Sequence, residues 1–241
     1  FSYAEPDIAI DERPEIDRWI ISLLNSLSKE VDEYYADYEP TKAARAIQNF
    51  VDEHLSNWYV RLCRRRFWKG EYSTDKISAY QTLYTCLDTI AKLISPISPF
   101  FADQLYLDLN AATNKEQFES VHLADFPVYH SELVDKALEE RMALAQDISS
   151  LALSLRKKSG INVRQPLSKI MVPVLDSSFQ EKVEKVKDLI LSETNIKDIE
   201  FITDTTGIIK KKIKPNFKVL GAKVGKDMKT VAAAIQAMSA E

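Results

Sequence analysis

The chain has 241 residues, 45% of them hydrophobic and 28% charged, with a formal net charge of -4. That length suits one large domain, or one with a small companion, whose core is big enough to fold without disulfide or metal staples. Five glycines, nine prolines and 10% aromatics exclude a fibrous or disordered chain.

The first residues, FSYAEPDIAIDERP, are acidic and lack the basic start and apolar stretch of a signal peptide. They begin without methionine, so a piece of a longer protein is expected. From Pro14 the apolar residues Ile16, Trp19, Ile20, Leu23, Leu24, Leu27 and Val31 recur at helical spacing, with Glu15 and Asp17 where the helix dipole favours acids. Pro40 interrupts this pattern, and a second helix from about Thr41 carries Ile47, Phe50, Val51, Leu55, Trp58, Tyr59 and Leu62 on its apolar face until Gly70. Ser73 or Thr74 caps a third helix striped by Ile77, Tyr80, Leu83, Tyr84, Leu87, Ile90 and Ile94. A short helix follows from about Pro99 to Leu109, then a loop over 111–130. A long helix from Ser131 to Lys158 points Leu133, Ala137, Leu138, Leu144, Ala145, Ile148, Leu151, Ala152 and Leu155 inward. Five helices with short connections predict an antiparallel bundle.

The pattern changes at Gly160. Residues 169–175 (KIMVPVL) predict a strand, 178–192 a helix and 196–203 (IKDIEFIT) a second strand, a β-α-β unit. The stretch 208–226 reads as extended and 228–238 as a terminal helix. The fold class is therefore mainly α, a bundle over 1–159 followed by a small α/β module over 160–241.

Charge is distributed unevenly. Residues 1–40 carry eleven acids against three bases; 57–69 carry five bases and no acid; 210–229 carry eight lysines against Asp227 alone. Because screening confines the field of exposed charges to ~10 Å, a local basic face can bind a polyanion on an acidic protein. No GxSxG, HExxH or GxGxxG occurs. The segment GAKVGKD at 221–227 has the wrong glycine spacing for a phosphate loop, and Asp227 stands where Ser or Thr should follow the lysine. Cys63 and Cys86 form no CxxC, and His54, His122 and His130 lie at no metal-ligand spacing, which suits a reducing compartment and predicts no metal site. No apolar run approaches the ~20 residues of a membrane span.

The stretch NWYVRLCRRRFWK is the most informative. At 100° per residue Trp58, Arg61, Arg65 and Lys69 form one ridge, flanked by Arg64 and Trp68. Guanidiniums grip phosphates in a fork, and an indole stacks on an unpaired base. The alternatives are that the arginines pair with the acidic first helix, and that Trp58, on the stripe of Leu55 and Leu62, is a core residue. Arg156, Lys157, Lys158 and Arg164 bracket Gly160, where a helix C-terminus also favours positive charge. The lysines of 210–218 fit either a solvated tail or a protected strand edge.

Three segments, PEIDRWIISLLNSL, LSNWYVRLCRRRFWKGEY and ISPISPFFADQLY, resemble in order and spacing the helical anticodon-binding domain of class I aminoacyl-tRNA synthetases. NVRQPL at 162–167 and KPNFKVLGAKVGK at 214–226 resemble the isoleucyl branch, in its longer form. The resemblance covers nearly the whole chain. It implies recognition of tRNA-Ile in the cytoplasm. Arg61, Arg64, Arg65, Arg66, Lys69 and Arg164 would lie on the RNA surface, with Trp68 before Trp58 as the stacking ring. The HIGH and KMSKS signatures of the catalytic domain, where ATP and Mg are used, are not in this sequence, so no catalytic residue and no cofactor is expected here. Alternatives are the equivalent module of a valyl or leucyl enzyme, or a helical scaffold for protein partners. A single internal core predicts a monomer.

Overall fold

The computed structural model describes residues 5–68, 71–174, 176–203 and 227–237. Lys69 and the lysine-rich stretch lie outside the described residues. Helix α1 spans Glu15–Ala36 and α2 spans Pro40–Asn49, with Pro40 at its first position. The rigid φ of proline is preorganised there and its missing N–H costs nothing. Tyr38, at φ 58°, makes the left-handed turn between them. The chain then continues as a π-helical segment, Phe50–Val60, and a short helix α3, Arg64–Trp68. Helix α4 spans Thr74–Ile94, and the Ser73 hydroxyl accepts from the Lys76 N–H at 3.4 Å. Helix α5 spans Pro99–Thr113, a turn longer than the sequence indicated, and ends where Asn114 adopts φ 50°.

Helix α6 runs from Lys136 to Lys158. It begins later than expected because Asp135, not Ser131, is the cap, accepting from the Leu138 N–H at 2.9 Å. Its buried stripe is Ala145, Ser149, Ala152 and Arg156, so Leu151 and Leu155 face solvent instead of the core. After Gly160, which at φ 68° turns the chain out of the helix, strand β1 (Ile170–Pro173) pairs in parallel with β2 (Ile199–Ile202). The connection is two helices rather than one, α7 (Ser177–Lys185) and α8 (Lys187–Thr194), broken at Val186. Helix α9 spans Met228–Ala237.

One apolar cluster runs through the bundle and into this module. Trp19, Ile20 and Leu24 of α1, Ile47 of α2, Cys86 and Ile90 of α4 and Met142 and Ala145 of α6 join Val172, Val183, Ile190 and Ile199. Each fully buried aliphatic or aromatic side chain contributes about 1.5–3 kcal/mol. Helix α5 packs outside, on α4, through Ala91, Ala102 and Tyr106.

A polar knot sits within the bundle. Asp17 in the first turn of α1 is wholly buried. Its Oδ1 accepts from the Tyr59 hydroxyl at 2.8 Å and Arg66 Nη1 at 2.7 Å; its Oδ2 accepts from the Ser78 hydroxyl at 2.6 Å and Arg66 Nη2 at 2.8 Å. The knot thereby ties α1, the π segment, α3 and α4 together. Arg66 also donates from Nε to the Asp75 carboxylate and from Nη2 to the Asp75 carbonyl, at 3.0 and 2.8 Å. Removing Arg66 leaves the Asp17 charge buried without its counter-ion. Arg66→Ala should therefore lower unfolding free energy by about 3–5 kcal/mol, measured by urea denaturation. A loss below about 1 kcal/mol would show that the knot is not a structural anchor.

Candidate nucleic-acid interface

The run Arg64-Arg65-Arg66-Phe67-Trp68 forms α3, and helical geometry separates its members. Phe67 is buried against Tyr59 and Tyr80, with ring centroids 6.4 and 5.3 Å apart, and Arg66 turns inward to Asp17. Arg64 and Trp68, four residues apart, share the outer face with Arg65 beside them. Arg64 and Arg65 are exposed and form no ion pair among the described residues, and Trp68 is 78% exposed. Arg66 is thus a correction to the sequence expectation: its guanidinium is consumed by Asp17 and Asp75, so the pairing alternative holds for it. Trp58 is a second correction. Only 4% exposed, it lies in the core as its place beside Leu55 allowed.

Arg61 is shared between two roles. Its guanidinium lies over the Trp58 ring, 5.9 Å from the centroid, and Nη2 pairs with Glu193 of α8 at 2.5 Å. It stands beside a cleft of about 430 Å³ between the π segment and α6. His54, Asn57, Trp58 and Arg61 line one side of this cleft, and Gln146, Asp147 and Ser149 the other. A volume of this order accommodates a small ligand or part of a larger one. Glu53 and Asp147 outnumber Arg61 there, which makes the cleft less suited to a phosphate than the basic face of α3. Among the described residues, Trp58 Nε1 and Ser149 Oγ are buried and have no hydrogen-bond partner. Such orphans are uncommon in a folded interior. The backbone here closes i→i+5 turns, a form that is rare and concentrated at functional sites.

His54 packs edge-on to Trp19 at 6.2 Å, and its Nδ1 lies 3.3 Å from Gln146 Nε2. Burial lowers its pKa, partly opposed by the Gln146 hydrogen bond. A third arginine region is the loop after α6. There Arg156, buried, donates from Nη2 to the carbonyl of Asn162 at 2.6 Å and to that of Gln165. The Arg164 N–H donates to Asn162 Oδ1 at 2.9 Å, closing a turn that leaves its side chain exposed. Arg156 therefore clamps the loop that presents Arg164.

A model of the anticodon-binding domain of tRNA ligase matches residues 17–171. The chain belongs to this family. The anticodon-binding domain so defined begins at the buried Asp17 and takes in α3, the cleft and the Arg164 loop; Glu193 lies beyond it. Over all 241 residues the chain is 58% identical to an isoleucine–tRNA ligase of Bacteroides thetaiotaomicron and 54% identical to that of Porphyromonas gingivalis. It is 43% identical over 223 residues to that of Clostridium novyi. In each case it spans about a fifth of the relative's length, 21%.

Sequence reasoning missed Asp17, the α6 side of the cleft and Glu193. Asp17 carried a signal, standing three and four residues before the buried Ile20 and Ile21, on the apolar side of α1. Gln146, Ser149 and Glu193 carried none, being remote in sequence from the residues they face. Among the described residues no group of three His, Cys, Asp or Glu side chains is placed to hold a metal, and no helix is long and apolar enough to cross a membrane.

A histidine whose pKa is lowered by folding takes up its proton more readily when unfolded. Its stabilising effect is therefore complete above the unfolded value of about 6.5 and is lost as pH falls below it. Chemical denaturation at pH 7.5 and 5.5 should show a larger stability loss for wild type than for His54→Gln. Equal losses would show that His54 does not titrate with unfolding.

Proposed function

We propose that this domain binds the anticodon arm of tRNA, tRNA-Ile in particular, and that α3 is its principal contact. Arg64 and Arg65 hold backbone phosphates, Trp68 stacks on an unpaired base, and Arg164 adds a contact from the loop after α6. Lys69 continues the same run in sequence. Arg66 and Trp58 support this surface from within. The observation that carries the proposal is the exposed Arg64–Arg65–Trp68 face, with both guanidiniums unpaired among the described residues, in a chain of the anticodon-binding family. The acidic cleft beside Trp58 suits a base edge rather than a phosphate, which separates gripping the backbone from reading the base.

The isoleucine specificity rests on the names of the relatives. In the whole protein, tRNA binding here would position the acceptor end for ligation of isoleucine with ATP and Mg in another domain, so its loss would appear in charging efficiency. We place the boundary between bundle and small module at residues 159/160, and the protein in the cytoplasm as a monomer.

The test is fluorescence anisotropy of labelled tRNA carrying an isoleucine or a valine anticodon, at several salt concentrations. Arg64→Ala/Arg65→Ala should reduce the slope of log affinity against log salt by about 1.4, the share of two phosphate contacts on a single strand. Trp68→Ala should cost about 1–3 kcal/mol at fixed salt. Binding and slope unchanged in both variants would remove α3 from the interface and favour a protein-interaction scaffold.

A further inference from the structure

The Arg61–Glu193 pair joins two parts of the chain 132 residues apart, the end of the π segment and the last turn of α8. The Glu193 side chain retains only 11% exposure while that of Arg61 retains 48%. The carboxylate is therefore the member that depends on the pair, because a nearly buried charge without a partner is strongly disfavoured. Among the described residues, the other ion pair between bundle and module, Lys182 with Glu140 of α6 at 2.8 Å, is more exposed and correspondingly weak.

Two residues beyond Glu193, Asn195 ends α8 at φ 53° and donates from Nδ2 to the Val163 carbonyl at 2.8 Å. The Asn195 carbonyl also accepts from the Leu167 N–H at 3.2 Å, and the Lys197 N–H donates to the Leu167 carbonyl at 3.0 Å. These bonds fasten both sides of the loop that carries Arg164. A continuous set of contacts thus runs from Arg61, three residues before Arg64, through Glu193 and Asn195 to Val163, the neighbour of Arg164.

We propose that Glu193 is a positioning residue for RNA binding: by clasping Arg61 it holds the Arg164 loop in place relative to the Arg64–Arg65–Trp68 face, so that one RNA backbone meets both. The proposal rests on the tRNA-binding reading of the site. It withdraws Arg61 from the phosphate contacts, since a phosphate that took Arg61 would leave Glu193 buried and unpaired.

The sign of one substitution separates this role from simple electrostatics. Glu193→Gln removes a negative charge near a polyanion's site, so electrostatics alone tightens tRNA binding. The clasp requires weaker binding, by at least about fivefold, the lower end of ordinary coupling between sites. In wild type Arg164→Ala should weaken binding. In the Glu193→Gln background it should add little, because the loop is already displaced. The charge swap Arg61→Glu/Glu193→Arg should recover most of the lost affinity. Thermal melts of each variant show that it is folded. Tighter or unchanged binding in Glu193→Gln, or an Arg164→Ala effect that is fully additive, overturns the proposal. Should wild type bind no tRNA, the tRNA reading fails, and hydrogen exchange still decides the clasp: the Leu167 and Lys197 amides should exchange faster in Glu193→Gln, and unchanged rates reject it.

Discussion

A carboxylate with no exposed surface governs this domain. Removing an ion from water costs several kcal/mol even after the protein relaxes around it, and only close, complete compensation offsets that. Asp17 has it, in four hydrogen bonds of 2.6–2.8 Å from the π segment, α3 and α4. Because two of them come from one guanidinium, the orientation of α3 is fixed along with its position. Arg66 turned inward forces Arg64, Arg65 and Trp68 outward. The same division recurs elsewhere. Arg156 is buried and shapes the loop from which Arg164 projects, and Arg61 is held by Glu193. Inward arginines build the surface from which the outward ones project.

The π segment and the cleft it lines give the domain a second kind of surface. Its acids make it unsuited to a phosphate, whereas α3, one turn further along, has bases without partners among the described residues. A single-stranded loop of RNA offers both a charged backbone and neutral base edges. Adjacent surfaces of opposite electrostatic character can therefore engage different parts of the same loop. The Ser149 hydroxyl and Trp58 indole N–H, without partners among the described residues, are buried behind the second of these surfaces.

Much of the fold was legible because helical periodicity is a strong signal and its punctuation was clear. Pro40 opens α2, Ser73 caps α4 and Gly160 ends the bundle's last helix, each where sequence placed it. Three consecutive arginines were harder. A 100° step points them in three directions, and which one faces inward depends on the phase of the helix, which the wide turns of the π segment alter. In α6 the sequence placed Leu138, Ala145 and Ala152 inward correctly but misplaced Leu151 and Leu155: small residues let that helix approach closely, and these two leucines are left outside. The break at Val186 and the reach of Glu193 to Arg61 depend on tertiary packing, for which one sequence gives no local sign.

The most direct test of α3 as the RNA face uses the three tryptophans as reporters. Each indole N–H gives its own resonance in a nitrogen–proton correlation spectrum, and Trp19 and Trp58 are buried where Trp68 is exposed. On titration with tRNA-Ile the Trp68 resonance should shift or broaden at the lowest ratios, while Trp19 stays in place. A Trp68 resonance that does not move at saturating tRNA would contradict the assignment of α3 to the interface.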